Sequence, residues 1–223
     1  MQRQLFELTE RLAKANQELA QLARQDSLTG VANLHHFDER LAEELARARR
    51  HRVPLGLLLC DVDDFKAYND RYGHPAGDAC LQRIAAALAS ACRRATDFVA
   101  RYGGEEFALI LPDTDAAGVA SVAEAARARV EALGIPHAGS RVSTVVTVSL
   151  GGVAVVPDLS TTPALLIRRA DAALYRAKLE GRNRFAAWSP GRDEASGRLP
   201  EEAASNAGAP PEAKDAENAK SLS

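Results

Sequence analysis

The stretch Leu55-Gly56-Leu57-Leu58-Leu59-Cys60 is an unbroken apolar run, and it is followed at once by Asp61-Val62-Asp63-Asp64. A short continuous run without polar alternation predicts a strand buried on both faces. Three carboxylates at the exit of such a strand are costly unless water, a cation or hydrogen-bond donors meet them. If the strand continues that far, Asp61 and Asp63 point to the same side. Carboxylate oxygens gathered at a strand end suit a hard divalent cation. Taken alone, the same acids could equally cap the following segment in a solvated loop.

Around this strand the chain alternates between helical and extended patterns. Phe37, Leu41 and Leu45 give 36–50 helical periodicity, with Pro54 after its end. Residues 79–91 read as a helix with Leu81, Ile84, Ala85 and Leu88 inward. Phe98 to Tyr102 and Phe107 to Leu111 read as two strands joined by a Gly-Gly-Glu-Glu hairpin. An alanine-rich helix over 116–133, a β-branched strand over 142–156 and a last helix over 163–179 complete the order. Gly151 and Gly152 inside the strand predict a bulge or a close approach. The β-α-β-β-α-β order, with extra helices, predicts an α+β fold: a mixed central sheet flanked by helices. No internal repeat is present.

The ends differ from this middle. Leu5, Leu8, Leu12, Ala15, Leu19 and Leu22 recur at steps of three and four, a heptad seam over 1–25 that reads either as an amphipathic helix docked on its own domain or, as the narrow stripe favours, as a helical stalk that pairs in parallel with a second copy. Residues 189–223 are rich in Pro, Gly, Ser, Ala and Glu and nearly devoid of large apolar residues, so a disordered tail is expected there. The folded domain is accordingly placed at 26–188. That tail carries seven acids and four bases, which leaves the remainder about +1 within a net charge of −2. Such a balance points away from a nucleic-acid polymer as partner. No run approaches the roughly 18 apolar residues that cross a bilayer, and the N-terminus lacks a secretory apolar core. A cytoplasmic location is expected. Cys60, Cys80 and Cys92 are odd in number and not in CxxC spacing, so they read as reduced thiols, neither a disulfide frame nor a zinc site.

A second chemical signal is Arg101-Tyr102-Gly103-Gly104-Glu105-Glu106-Phe107. Paired glycines permit a tight turn and let a ligand approach the backbone, and the glutamates then project from the tip. If the Leu55–Cys60 strand and this hairpin share a sheet, Asp61 and Glu105 converge on one metal.

Together these segments resemble the GGDEF-domain diguanylate cyclase family in its GGEEF form. The resemblance runs through Asp26-Ser27-Leu28-Thr29-Gly30, DVDDFKAYND (61–70), YGHPAGD (72–78), RYGGEEF (101–107), VSLGGVA (148–154) and ADAALYRAKLEGRNR (170–184). It implies a palm-like nucleotide-cyclase fold and condensation of two GTP molecules into cyclic di-GMP and two pyrophosphates, by a dimer and with Mg²⁺ (or Mn²⁺). It further implies that Asp61, the carbonyl of Val62, Glu105 and Glu106 hold metal, that Glu105 is catalytic, and that Lys66 stabilises the reacting phosphate. Asn69 and Asp78 correspond to guanine readers, with His74 near ribose or base. A carboxylate at 78 can accept from the ring N–H and amine of guanine, a donor pair that adenine lacks; next to Gly77 it also reads as a helix N-cap. Lys178 and Arg182, four apart on a helix taken to end at Gly181, correspond to triphosphate cations. Arg94 and Asp97 match the RxxD site at which the product inhibits.

Two features depart from the family pattern. The opening motif continues Asn33-Leu34 where the family has Asn-Arg, which bears on signal input rather than chemistry. No sensor domain accompanies the motifs, so input is expected through the stalk, an upstream sensor partner, or further sequence of a longer protein. The alternative function is a catalytically inactive GTP or cyclic di-GMP receptor, disfavoured by retention of all three site acids.

Overall fold

The computed structural model describes residues 24–193; the expected stalk over 1–25 falls almost wholly outside them, as does the tail beyond 193. In chain order the elements are α1 (Leu34–His51), β1 (Leu55–Val62), α2 (Phe65–Tyr72), α3 (His74–Ala91), β2 (Phe98–Gly103), β3 (Glu106–Pro112), α4 (Ala116–Ala132), β4 (Val148–Val155), α5 (Pro163–Leu179), β5 (Phe185–Ala187) and α6 (Pro190–Asp193).

The strands form one mixed sheet in the order β2-β3-β1-β4-β5. Among the described strands, β1–β3, β1–β4 and β2–β3 pair antiparallel and β4–β5 pairs parallel. The apolar run is thus the central strand, and its alternate side chains feed two cores. Leu58, Cys60 and Val62 pack with Phe65, Ile84, Leu88 and Val119 from the α2, α3 and α4 layer. Leu55, Leu57 and Leu59 pack with Phe37, Leu41, Leu166 and Leu174 from α1 and α5. The continuous apolar signal arises because both faces are covered by helices.

Gly151 resolves as a close approach and not a bulge. The β1–β4 register is unbroken from Leu55↔Val155 to Val62↔Val148, and a Cβ at Gly151 would collide with the backbone of Leu174 and Ala170 on α5. The missing side chain lets α5 lie against the sheet, which fixes where its C-terminal end meets the end of β1.

Several boundaries move. The strand expected from Val142 begins at Val148, and the helix expected from Ala79 begins at His74. Helix α2 and strand β5 add to the expected elements. Residues Pro190–Asp193, assigned to the tail, form a helical turn docked on α5. There Arg176 donates from Nε to Asp193 Oδ1 at 2.8 Å, Ser189 N donates to Asp193 Oδ2 at 2.7 Å, and the Arg169 guanidinium stacks over Trp188 at 4.1 Å. Trp188 and Asp193 anchor that turn although the surrounding composition is tail-like. All three cysteines are free thiols, and burial pushes those of Cys80 and Cys92 up to about 11 and about 12. Among the described residues, no helix is long and apolar enough to cross a membrane.

Candidate active site

The acids converge at one end of the sheet because β1 runs between β3 and β4. Asp61 is the register partner of Glu106 on β3 and of Ser149 on β4. Glu105 lies in the adjoining turn, where its carbonyl accepts from the Val62 N–H at 3.4 Å. The β2–β3 register shifts between Arg101 and Gly103. The Arg101 guanidinium spans that irregularity, donating to the Gly104 carbonyl from Nε and Nη2 at 2.9 and 2.8 Å and to Asp26 Oδ1 from Nη1 at 3.2 Å. One arginine therefore ties the opening motif to the glycine turn.

From α5, Lys178 Nζ reaches Asp61 Oδ2 at 2.9 Å, and the Asp61 side chain keeps 14% exposure. Burial raises Asp61 to about 6; Lys178 opposes this, while Glu105 and Glu106 add to it. Glu106 is raised by the packing around its carboxylate and then by Glu105 and Asp171, against Lys178. Asp61 and Glu106 are pushed up chiefly because burial strips water from their carboxylates, and then by neighbouring negative charge that the Lys178 ammonium only partly offsets.

The donor set, carboxylates of Asp61, Glu105 and Glu106 plus the Val62 carbonyl, is all oxygen and suits a hard divalent cation. Its mutual repulsion is what added positive charge relieves. Among the described residues, no three acid, histidine or cysteine side chains stand together as a formed metal cluster; Lys178 supplies the neutralising charge. The residues fit a divalent ion by chemistry, with the Lys178–Asp61 pair as the contact that must yield.

The two helices after β1 carry a second group. Lys66 is exposed in the first turn of α2 and Asn69 lies three residues on. Asn69 Oδ1 is buried without a hydrogen-bond partner, against Gly77 of α3, where any Cβ would collide with it. A lone buried amide oxygen carries a penalty of about 1–3 kcal/mol that a ligand donor would remove. His74 and Asp78 are exposed at the start of α3. Asp78 does not cap the helix: the N-cap is Gly73, with Pro75 in the first turn.

Lys178 and Arg182 do not share a helix face. Helix α5 ends at Leu179, and Arg182 sits in a left-handed turn (φ 62°) with its Nε 3.8 Å from Asp64 Oδ1. Lys178 rests on Asp61 and Arg182 leans on Asp64, so both cations lie over the exit of β1. Arg94 and Asp97 close a tight loop before β2: Arg94 N donates to Asp97 Oδ2 at 3.1 Å, and Arg94 Nη1 to the Asp113 carbonyl and Thr114 Oγ1 at 3.3 and 3.2 Å.

Sequence reading left two acids and one ion pair unassigned. Asp171 lies on α5 seven residues before Lys178; burial raises it, and Lys178 opposes. Its i to i+7 relation to Lys178 was the available signal. The Arg101–Asp26 pair and the buried Asp63 join residues far apart in the chain, which periodicity does not reveal.

Residues 23–184 match the family described as "Diguanylate cyclase, GGDEF domain". The chain belongs to this family. Among relatives of this diguanylate cyclase-family chain, Diguanylate cyclase TpbB of Pseudomonas aeruginosa is 41% identical over 173 residues, 77% of this chain and 39% of its own. Diguanylate cyclase A of Treponema denticola is 38% identical over 176 residues, 78% of this chain and 46% of its own. The chain thus spans less than half the length of these curated relatives. A crystal structure of the coiled coil and GGDEF domain of DgcB from Caulobacter crescentus, in complex with c-di-GMP, superposes with a TM-score of 0.67 at 32% identity, covering 82% of this chain and 95% of that one.

Proposed function

We propose that this GGDEF domain is a diguanylate cyclase: two copies, each holding one GTP, condense the nucleotides into cyclic di-GMP. The 3′-hydroxyl oxygen of each GTP forms a bond to the α-phosphorus of the other. The bond from that phosphorus to the β-phosphate bridging oxygen breaks, pyrophosphate leaves, and the hydroxyl proton is lost. The observation that carries this reading is the placement of Asp61 opposite Glu106 and against the Lys178 ammonium at one sheet end, with Glu105 in the adjoining turn.

The chain's own groups divide the work. Asn69, with its unpartnered oxygen, and Asp78 accept from guanine, and His74 borders the nucleoside. Lys66, Lys178 and Arg182 offset phosphate charge, the last two exchanging Asp61 and Asp64 for phosphate oxygens. Asp61, Glu105, Glu106 and the Val62 carbonyl would hold Mg²⁺ or Mn²⁺. When bound, the ion neutralises charge on the reacting phosphate. A carboxylate engaged in that way is a weak base, so the larger role of Glu105 is to place charge. Arg94 and Asp97 form the product-inhibition site, where guanidinium can grip phosphate and carboxylate can accept from a guanine edge; Arg94 must first leave Asp113 and Thr114.

The test is incubation of the purified chain with GTP and Mg²⁺ over a protein dilution series, followed by nucleotide chromatography. Cyclic di-GMP and pyrophosphate should form, at a rate per chain that rises with concentration. Absence of product at every concentration, with Mg²⁺ or Mn²⁺, overturns the proposal. Labelled cyclic di-GMP should bind the wild type, and undiminished binding by Arg94→Ala would remove that assignment.

A further inference from the structure

The segment after α5 passes through three successive residues of positive φ: Gly181 (118°), Arg182 (62°) and Asn183 (45°). Glycine adopts such angles freely, whereas each of the other two costs about 1 kcal/mol or more and needs neighbours to hold it. Asn183 has those neighbours on three sides. Its backbone N–H donates to Asp63 Oδ2 at 3.0 Å, its side-chain amide to Glu131 Oε1 at 2.9 Å, and its side-chain oxygen accepts from Arg127 Nη1 at 2.9 Å. Arg127 is itself gripped by Glu124 and Glu131 along α4. Asp63 is 1% exposed and takes further hydrogen bonds from the hydroxyls of Thr147 at 2.7 Å and Ser149 at 2.6 Å.

Asn183 is therefore where the exit of β1, the entrance of β4 and the surface of α4 grip one turn. That turn holds Arg182 over Asp64, and it directly follows the last turn of α5, which holds Lys178 over Asp61. The hydrogen bonds of its side chain, to Glu131 and from Arg127, both go to α4 and not to Asp61, Glu105 or Glu106.

We propose that Asn183 is a positioning residue for the triphosphate end of the substrate. It locks the left-handed turn that presents Arg182, and with it the end of α5 bearing Lys178, to the phosphates, and Asp63 is the buried anchor of that lock. The inference rests on the reading of Lys178 and Arg182 as phosphate cations given above.

The experiment compares binding of a non-hydrolysable GTP analogue with binding of GMP, by calorimetry on the full chain at fixed Mg²⁺. Wild type should prefer the triphosphate. Asn183→Ala loses the side-chain bonds and disfavours the turn, and should weaken the triphosphate about tenfold with GMP changed less than about twofold. Asn183→Gly keeps the turn accessible and should lose about threefold; it carries the test by the same ratio if the alanine variant does not fold. Arg182→Ala calibrates loss of the cation itself. A purely structural role would weaken both nucleotides together or neither. A folded Asn183 variant with the wild-type triphosphate-to-GMP ratio, while Arg182→Ala lowers that ratio, overturns the inference alone. Equal wild-type affinity for both nucleotides overturns the phosphate-cation reading, and this inference with it.

Discussion

Asp61 and Asp63 leave β1 two residues apart. Asp61 keeps a side chain 14% exposed, flanked by Glu105, Glu106 and one lysine; Asp63 is 1% exposed, with two hydroxyls and a backbone amide donating to it. The deeper acid is the satisfied one. Neutral donors fixed by β4 and the α5 exit meet its oxygens, whereas Asp61 sits among like charges with a cation on a flexible stem. Burial alone does not separate a structural acid from a functional one; what separates them is whether the fold supplies enough donors. A carboxylate left short of donors is available to a ligand, and one that is fully bonded holds the backbone in place.

The largest effect is expected on the under-satisfied side. Glu105→Ala should reduce cyclic di-GMP formation at least about a thousandfold while its urea unfolding midpoint stays at the wild-type value, because the turn is held by Arg101 and not by the Glu105 side chain. Turnover near wild type would remove Glu105 from the site. The converse holds at Asp63. Asp63→Ala strands the Thr147 and Ser149 hydroxyls and the Asn183 amide, and should cost about 3 kcal/mol of unfolding free energy. Asp61→Ala should change stability by less than about 1 kcal/mol, since Lys178 is released to water. Equal losses at the two positions in chemical denaturation would abolish the distinction.

The architecture was largely legible because its signals are local. The apolar run of β1, the periodicity of α1 and the glycine hairpin each stay within a short window, and the mixed sheet followed from their order. Helix α2 escaped notice because Phe65–Tyr72 is short and begins after Asp64 in a left-handed conformation with no side-chain cap. The Lys178–Arg182 pair was misplaced for a related reason: nothing in LEGRN announces two consecutive non-glycine residues of positive φ, since those angles are held by Asp63 and α4. That Asp61 lies opposite Glu106 was foreseeable once β1 and β3 share one sheet. That Asp63 serves the framework was not, because its partners lie at 147, 149 and 183, and a single sequence does not pair residues across that distance.

Specificity provides a smaller effect. Asp78 is exposed and not needed as a cap, with Gly73 in that position, so replacing it leaves the helix start intact. Asp78→Ser should narrow the preference for GTP over ATP about tenfold in kcat/KM, with no loss of stability. An unchanged ratio in competition between the two nucleotides would leave Asn69 as the remaining guanine reader.

Asp193 adds a third kind of acid to the comparison, buried like Asp63 but paired with a true cation. Its side chain is 2% exposed and 2.8 Å from Arg176 Nε. Burial alone would raise its pKa, but the hydrogen bonds from Arg176 and from the Ser189 N–H, with the charges of Arg176 and Arg192, outweigh it and hold the carboxyl below the usual 3.8. A pKa lower in the folded than in the unfolded chain means that folding favours the ionised form. The resulting stability is fully present above 3.8 and is lost as pH falls through the lower folded value. Asp193→Asn should therefore be less stable than wild type by about 1 kcal/mol at neutral pH, and the two unfolding curves should draw together only below pH 3.8. A gap that stays constant through that acid range would show that the amide loses shape complementarity and not charge, and would place Asp193 with Asp63 as an acid held by geometry.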